Sequence, residues 1–209
     1  MSAINYRVTG VFALGLAGTI ALAGCTVNPG TPGTGPGPGM NGGSESGNEM
    51  MGGSNSRAFS ATDIMFAQMM TPHHQQAIDM SNLALRKSTN PDVLALARQI
   101  RDAQAPEITV MNDWLADAGA NSAMGNNADD MGMGAGGILS ADEMTALKNA
   151  TGAAFDTLYL QGMIGHHEGA IQMAQSILNS RNAAVKRLGQ AIVKSQTAQI
   201  AHMKQLLGQ

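Results

Sequence analysis

The sequence predicts an all-α fold, a four-helix bundle made of two repeated helix hairpins. Three observations predict it. Apolar residues between positions 60 and 209 recur at helical spacing, and no alternating run of the kind a strand needs is present. Helix-start signals stand at Ser60, Asn90, Ser140 and Asn182. One phrase also occurs twice, 93 residues apart: Met70-Thr-Pro-His73-His74-Gln-Gln-Ala77-Ile78-Asp-Met80 and Met163-Ile-Gly-His166-His167-Glu-Gly-Ala170-Ile171-Gln-Met173.

Ser60, with Asp63 three residues on, opens a helix that runs to about Lys87. Asn90-Pro91 is a cap followed by proline at the first helical position, and this second helix ends near Gly119. Ser140 and Glu143 form a capping box for a third segment reaching about Asn179, which Gly152 can interrupt. Asn182 caps a fourth helix to the C-terminus. The repeat runs through both helices of each pair. Asp63 and Phe66 match Asp156 and Tyr159. After a one-residue deletion the offset becomes 92, and Asn90, Ile100, Gln104, Ile108, Met111 and Leu115 match Asn182, Ile192, Gln196, Ile200, Met203 and Leu207. Two hairpins with one buried stripe each pack most simply as a bundle with approximate two-fold symmetry. Residues 60–209 thus form one domain, with repeats at about 60–118 and 140–209 joined by a Met- and Gly-rich loop, 119–139.

The N-terminus reads as an address. Arg7 supplies a positive charge, and Val11–Ala23 is an apolar run of 13 residues, shorter than the roughly 20 a spanning helix needs. Leu22-Ala23-Gly24-Cys25 is similar to the bacterial lipoprotein signal, with cleavage before Cys25 and lipid attached to it; an ordinary secretory signal is the alternative. On this reading residues 1–24 are a signal peptide. Residues 25–59 are then a lipidated cysteine and a Gly/Pro/Ser-rich tether of disordered composition. The domain would stand outside the cytoplasm, anchored to the cell membrane or outer membrane. Cys25 is the only cysteine, so no internal disulfide forms. A net charge of −3 with no basic run or aromatic platform excludes nucleic acid as a partner.

Phe66, Met70, His73, Ala77, Met80 and Ala84 step by four and three residues, as do Tyr159, Met163, His166, Ala170, Met173 and Ile177, so each set lines one seam. His73 and His166 are expected inside, with His74 and His167 about 100° round the helix at the seam's edge. Gln104, Ile108, Met111 and Gln196, Ile200, Met203 lie at matching depths of the other helices. A core methionine usually fills space. A lone buried histidine is usually structural, here bonded to Gln104 or Gln196, glutamines that would also fix the tautomer of a metal ligand. Burying imidazole twice in the same company shifts the reading toward a metal. Pro72 and Gly165 share one repeat position before the histidines, and each weakens a helix, glycine by about 1 kcal/mol relative to alanine. That predicts a local distortion aiming the rings, although Pro106 marks a tolerated kink without histidine nearby.

Thioether with imidazole favours Cu(I), and by extension Ag(I), over magnesium, calcium or manganese. Methionine suits an oxidising compartment in which free thiols are at risk. The candidate ligands are Met70, His73, His74, Met80, Met111, Met163, His166, His167, Met173 and Met203. His202 is an auxiliary without a repeat counterpart, since Val110 holds its place. Met40, Met50, Met51, Met124, Met131 and Met133 are either exchangeable copper ligands or compositional drift. Imidazole must be neutral to bind, so affinity is expected to fall around and below about pH 6.5.

The two His-His phrases, with Gln104-x-x-Glu107-Ile108-x-x-Met111-x-x-Trp114-Leu115, resemble the bacterial domain-of-unknown-function 305 family over roughly residues 60–208. The resemblance implies a ferritin-like four-helix fold, secreted or membrane-anchored placement and, for some members, periplasmic copper and silver binding. His73, His74, Met80, His166, His167 and Met173 carry the motif, with Met70 and Met163 ahead of them. The second repeat departs at its end, where Gln199 replaces the acidic residue and Leu206 the tryptophan. Three readings follow. The first is a non-enzymatic lipoprotein that buffers, sequesters or passes Cu(I) to a copper-handling partner protein. The second is a metal-free helical module binding an envelope partner. The third is a ferritin-like redox enzyme, which needs Glu-x-x-His pairs that the chain lacks. No Ser-His-Asp or Cys-His arrangement is evident and no catalytic residue is assigned.

Overall fold

The computed structural model describes residues 59–121 and 136–209. The signal segment, Cys25, the tether up to residue 58 and Met40, Met50, Met51, Met124, Met131 and Met133 lie outside them, while Phe59, expected at the tether's end, packs beside Trp114 with ring centroids 5.9 Å apart. The described chain is all-helical, with α1 (Ala61–Lys87), α2 (Pro91–Asp117), α3 (Ala141–Asn149), α4 (Gly152–Gln175) and α5 (Ala183–Leu206). None of these helices is long and apolar enough to cross a membrane.

The sequence signals start each element. Ser60 Oγ accepts from the Asp63 amide at 3.1 Å while Asp63 accepts from the Ser60 amide at 2.9 Å, satisfying two N-terminal donors of α1. Arg86 and Lys87 place positive charge on its last turn, where the exposed carbonyls concentrate negative potential. The two hairpin corners use one device. Ser88 Oγ accepts from the Asn90 amide and Ser180 Oγ from the Asn182 amide, each at 3.1 Å, and each asparagine then caps the next helix. The third predicted segment is divided. Its capping box holds, but the chain breaks after Asn149 and restarts at Gly152 with φ +56°, a backbone region that other residues adopt at a cost. Helix α4 also closes at Gln175, short of Asn179, where shorter-range bonds such as Ile177 N to Ala174 O take over.

Helix α1 packs chiefly on α2 and α4 on α5, and the hairpins meet through α1 against α4. That seam is antiparallel: His73 faces His166, and eight residues further along α1 Ser81 reaches Tyr159, seven residues before His166 on α4, at 3.4 Å. The core divides into two apolar clusters. One joins Ala77, Met80 and Ala84 to Val93–Ile100 residues, Phe155, Tyr159, Met163 and Met203. The other joins Phe66, Met70, Met111 and Leu115 to Ala170, Ile177, Val185 and Ile192. Each such side chain, fully withdrawn from water, favours the fold by about 1.5–3 kcal/mol. Between the clusters every long helix places polar groups in the core: His73 and His74, Gln104, His166 and His167, Gln196 and Gln199.

Candidate metal centre

All four motif histidines have no solvent-exposed surface. The His73 and His166 rings meet across the seam with centroids 3.7 Å apart and planes inclined at 40°. His74 and His167 stand 6.4 and 6.3 Å from their neighbours, turned into their own hairpins rather than lying at the seam's edge as helical phase alone suggests. The cause is a partner on the second helix of each pair. His74 Nε2 bonds Glu107 Oε2 at 2.8 Å, and His167 Nε2 bonds Gln199 Oε1 at 2.7 Å. Glu107 and Gln199 occupy the same repeat position. Gln104 and Gln196, the expected partners, do not fill that role. Both amide atoms of Gln104 and Oε1 of Gln196 are buried without a hydrogen bond.

A strap from the end of the interhelical loop covers the central pair. The Gly136 carbonyl accepts from His73 Nε2–H at 2.9 Å. Gln76 holds Leu139 at both backbone groups, at 2.9 and 2.7 Å. Gly169, the repeat counterpart of Gln76, leaves the space the strap needs, since a Cβ there would fall 1.5 Å from the Gly136 oxygen. Gly165 contributes differently from its expected role as a distorting residue. Helices α1 and α4 run without a break through Pro72 and Gly165, and the Gly165 carbonyl is instead the surface on which Gly137 packs.

Burial without full pairing leaves the layer short of partners. His73, His74, His166 and His167 Nδ1 and His166 Nε2 lack a hydrogen bond, an arrangement that costs free energy in an apolar interior. The protein limits that cost by keeping rings neutral. Burial pulls His73 down to about 3 and His167 to about 4, and it holds His166 well below its ordinary value. The acceptor oxygens on His73 and His167 work in the other direction without offsetting burial. For these three rings ionisation in the folded protein begins well below pH 6.5, which moves their share of the expected loss of metal affinity to more acid conditions.

Thioethers flank the rings on both sides. Met70 and Met111 are buried in one cluster with Met173 packed against it, and Met80, Met163 and Met203 are buried in the other. The repeat relates the two sets one to one. Met70 and Met163 lie one turn from the rings, whereas Met80 and Met173 stand about 10 Å along their helices from the histidines. His202 is exposed on α5 and outside the layer. Among the described residues no three His, Cys, Asp or Glu side chains gather as a metal cage. Glu168 instead points outward to Lys204 at 3.7 Å. An ion in this layer would be held by imidazole nitrogen and thioether sulfur, neutral donors suited to a soft monovalent cation.

The family model described as Domain of unknown function (DUF305) matches residues 63–207. The chain belongs to this family. Solved DUF305 structures resemble it throughout the bundle. A candidate secreted DUF305 protein from Streptomyces coelicolor is 32% identical with a TM-score of 0.65, covering 70% of this chain and 92% of its own. A DUF305 fragment from Deinococcus radiodurans is 28% identical with a TM-score of 0.66, covering 72% and 98%. CopM in its Cu(I)-bound form is 34% identical with a TM-score of 0.58, covering 70% and 96%. CopM is also solved with Cu(II) and with Ag. No curated protein sequence matches the chain significantly.

Glu107 and Gln199 are the site residues that pattern reading underrated. Each lies three positions after a buried glutamine on the same helical face, so spacing alone cannot choose between them. The signal available was their shared repeat position, 33 and 32 residues after His74 and His167.

Proposed function

We propose that the protein is a non-enzymatic, extracytoplasmic lipoprotein that sequesters, buffers or hands on Cu(I) through methionine and histidine, with Ag(I) as a mimic. The observation that carries this reading is the meeting of His73 with His166, with His73 Nδ1 and both His166 nitrogens unpaired, between two matched thioether sets. Neutral donors cannot neutralise a buried dication. A monovalent ion carries about a quarter of the charging penalty of a divalent one of equal size, by the square-of-charge scaling of Born solvation. The Cu(I)- and Ag-bound forms of CopM support copper and silver as the ions, and CopM also takes Cu(II). The candidate secreted Streptomyces neighbour and the Leu22–Cys25 signal support the placement and the lipid anchor.

Anaerobic titration against a chromogenic Cu(I) chelator tests the reading. The parent should hold copper, and the variant with His73, His74, His166 and His167 changed to alanine should lose about 100-fold or more in affinity. Circular dichroism checks that the variant keeps its helices. Equal affinity would make the rings structural. One observation favours that second reading, a metal-free helical module for an envelope partner: His73, His74 and His167 each already have one hydrogen bond. That module would leave the chelator's copper untouched.

A further inference from the structure

We infer that acceptor oxygens around the histidine layer fix the tautomer of its rings, so that a bound soft cation is met by Nδ1, with Glu107 and Gln199 as positioning residues. The inference rests on the copper reading and specifies how the same layer would work. Three rings have one hydrogen bond each, and all three bonds are made at Nε2: His73 to the Gly136 carbonyl at 2.9 Å, His74 to Glu107 at 2.8 Å and His167 to Gln199 Oε1 at 2.7 Å. A carbonyl or carboxylate oxygen can only accept. Each Nε2 must therefore carry the proton, and a neutral imidazole with its proton on Nε2 has its lone pair on Nδ1. In all three rings Nδ1 is buried and without a partner.

The opposite tautomer would set lone pair against lone pair at hydrogen-bond distance and bury an unpaired N–H donor. The two repeats arrive at the same arrangement with different side chains. Glutamate and glutamine at positions 107 and 199 differ in charge, and what they share is an acceptor oxygen at the same reach. The first repeat adds the strap, which does for His73 what Glu107 does for His74. His166 has neither nitrogen engaged and lies against His73, so it can bind through either. Oriented acceptors on the far nitrogen of a ligating histidine fix its tautomer and orientation, and removing one typically weakens metal binding by about 10–100-fold.

Long-range proton–nitrogen NMR of the purified 15N-labelled protein at neutral pH reads the tautomer directly. His73, His74 and His167 should show protonated Nε2 and bare Nδ1. On titration with Ag(I), the Nδ1 resonances should shift while the Nε2 protons remain. Glu107→Gln keeps an acceptor and should retain both the His74 tautomer and Ag(I) affinity within about threefold. Glu107→Leu should mix the tautomers and weaken Ag(I) about 10–100-fold, and Gln199→Leu should do the same at His167 on the other hairpin. Thermal melts of both leucine variants separate loss of the site from loss of the fold. Protonated Nδ1 in the metal-free protein, loss of the Nε2 proton on Ag(I) binding, or folded leucine variants with parental affinity would each overturn the inference while leaving the copper reading intact. Parent protein that shows the expected tautomers but takes up neither Ag(I) nor Cu(I) would overturn the copper reading, and the ligand role with it.

Discussion

The two hairpins carry the same histidine pair in different company. In the first, His73 bonds a backbone carbonyl of the strap and His74 bonds a carboxylate. In the second, His167 bonds a neutral amide and His166 bonds nothing. The helices, corner turns and methionine positions of the two repeats correspond, so the duplication preserved the scaffold while the polar partners diverged. The strap shows the divergence best. It crosses two equivalent positions, gripped by Gln76 on one helix and admitted by bare Gly169 on the other. Symmetry of backbone thus permits asymmetry of chemistry, and a layer with inequivalent rings can offer an ion two different environments.

Acid should produce the largest effect and shows whether the two halves are equally intolerant of charge. In the unfolded chain each ring takes up its proton near its ordinary value of 6.5, but in the folded protein only near 3 for His73 and near 4 for His167. Between those values the unfolded state binds more protons, so stability is complete above pH 6.5 and is lost as pH falls toward 4. The loss should be on the order of 3 kcal/mol from His167 alone, by about 1.4 kcal/mol per pKa unit. Urea melts at pH 7, 5.5 and 4.5 measure it; a flat profile would show that the rings are not buried as described.

The thioether sets are the next comparison. Met80 is fully buried and its repeat counterpart Met173 is half-buried beside the strap. Met80→Ala should cost about 2–5 kcal/mol, with Met173→Ala costing distinctly less because its site can refill with solvent. Equal losses in denaturant melts would contradict the asymmetry of the two clusters.

Gly169→Ala tests the strap. Its Cβ would collide with the Gly136 oxygen, so the strap must shift and release His73. A cost of about 1–3 kcal/mol is expected, as for other overpacked sites, with faster hydrogen exchange at the Leu139 amide. An unchanged exchange rate would show that the strap is not held there. The smallest effect belongs to His202→Ala. As an exposed residue outside the layer, it should change stability by less than about 0.5 kcal/mol. A larger shift in the same melts would mean that His202 takes part in packing.

Much of the fold was legible because its causes are local. Caps at Ser60, Asn90, Ser140 and Asn182 and the 3.6-residue stripe depend on neighbours a few positions away, and all four starts hold. The break at Gly152 was legible as a glycine, but whether it ends a helix depended on where α3 packs. At the site, the inward placement of His73 and His166 followed from phase. The deep burial of His74 and His167 did not, because a residue about 100° off the seam is inside or outside according to how closely the partner helix approaches. The axial register of α2 against α1, equally invisible in either stretch alone, set Glu107 rather than Gln104 beside His74.

The chain by itself thus determined the helices, their duplication and the histidines and methionines the repeats share, since propensity, capping and periodicity are properties of short stretches. Tertiary packing alone decided which oxygen faces which ring, where the strap crosses and which imidazoles remain unpaired. Those outcomes depend on distances between helices far apart in sequence, which no local pattern encodes.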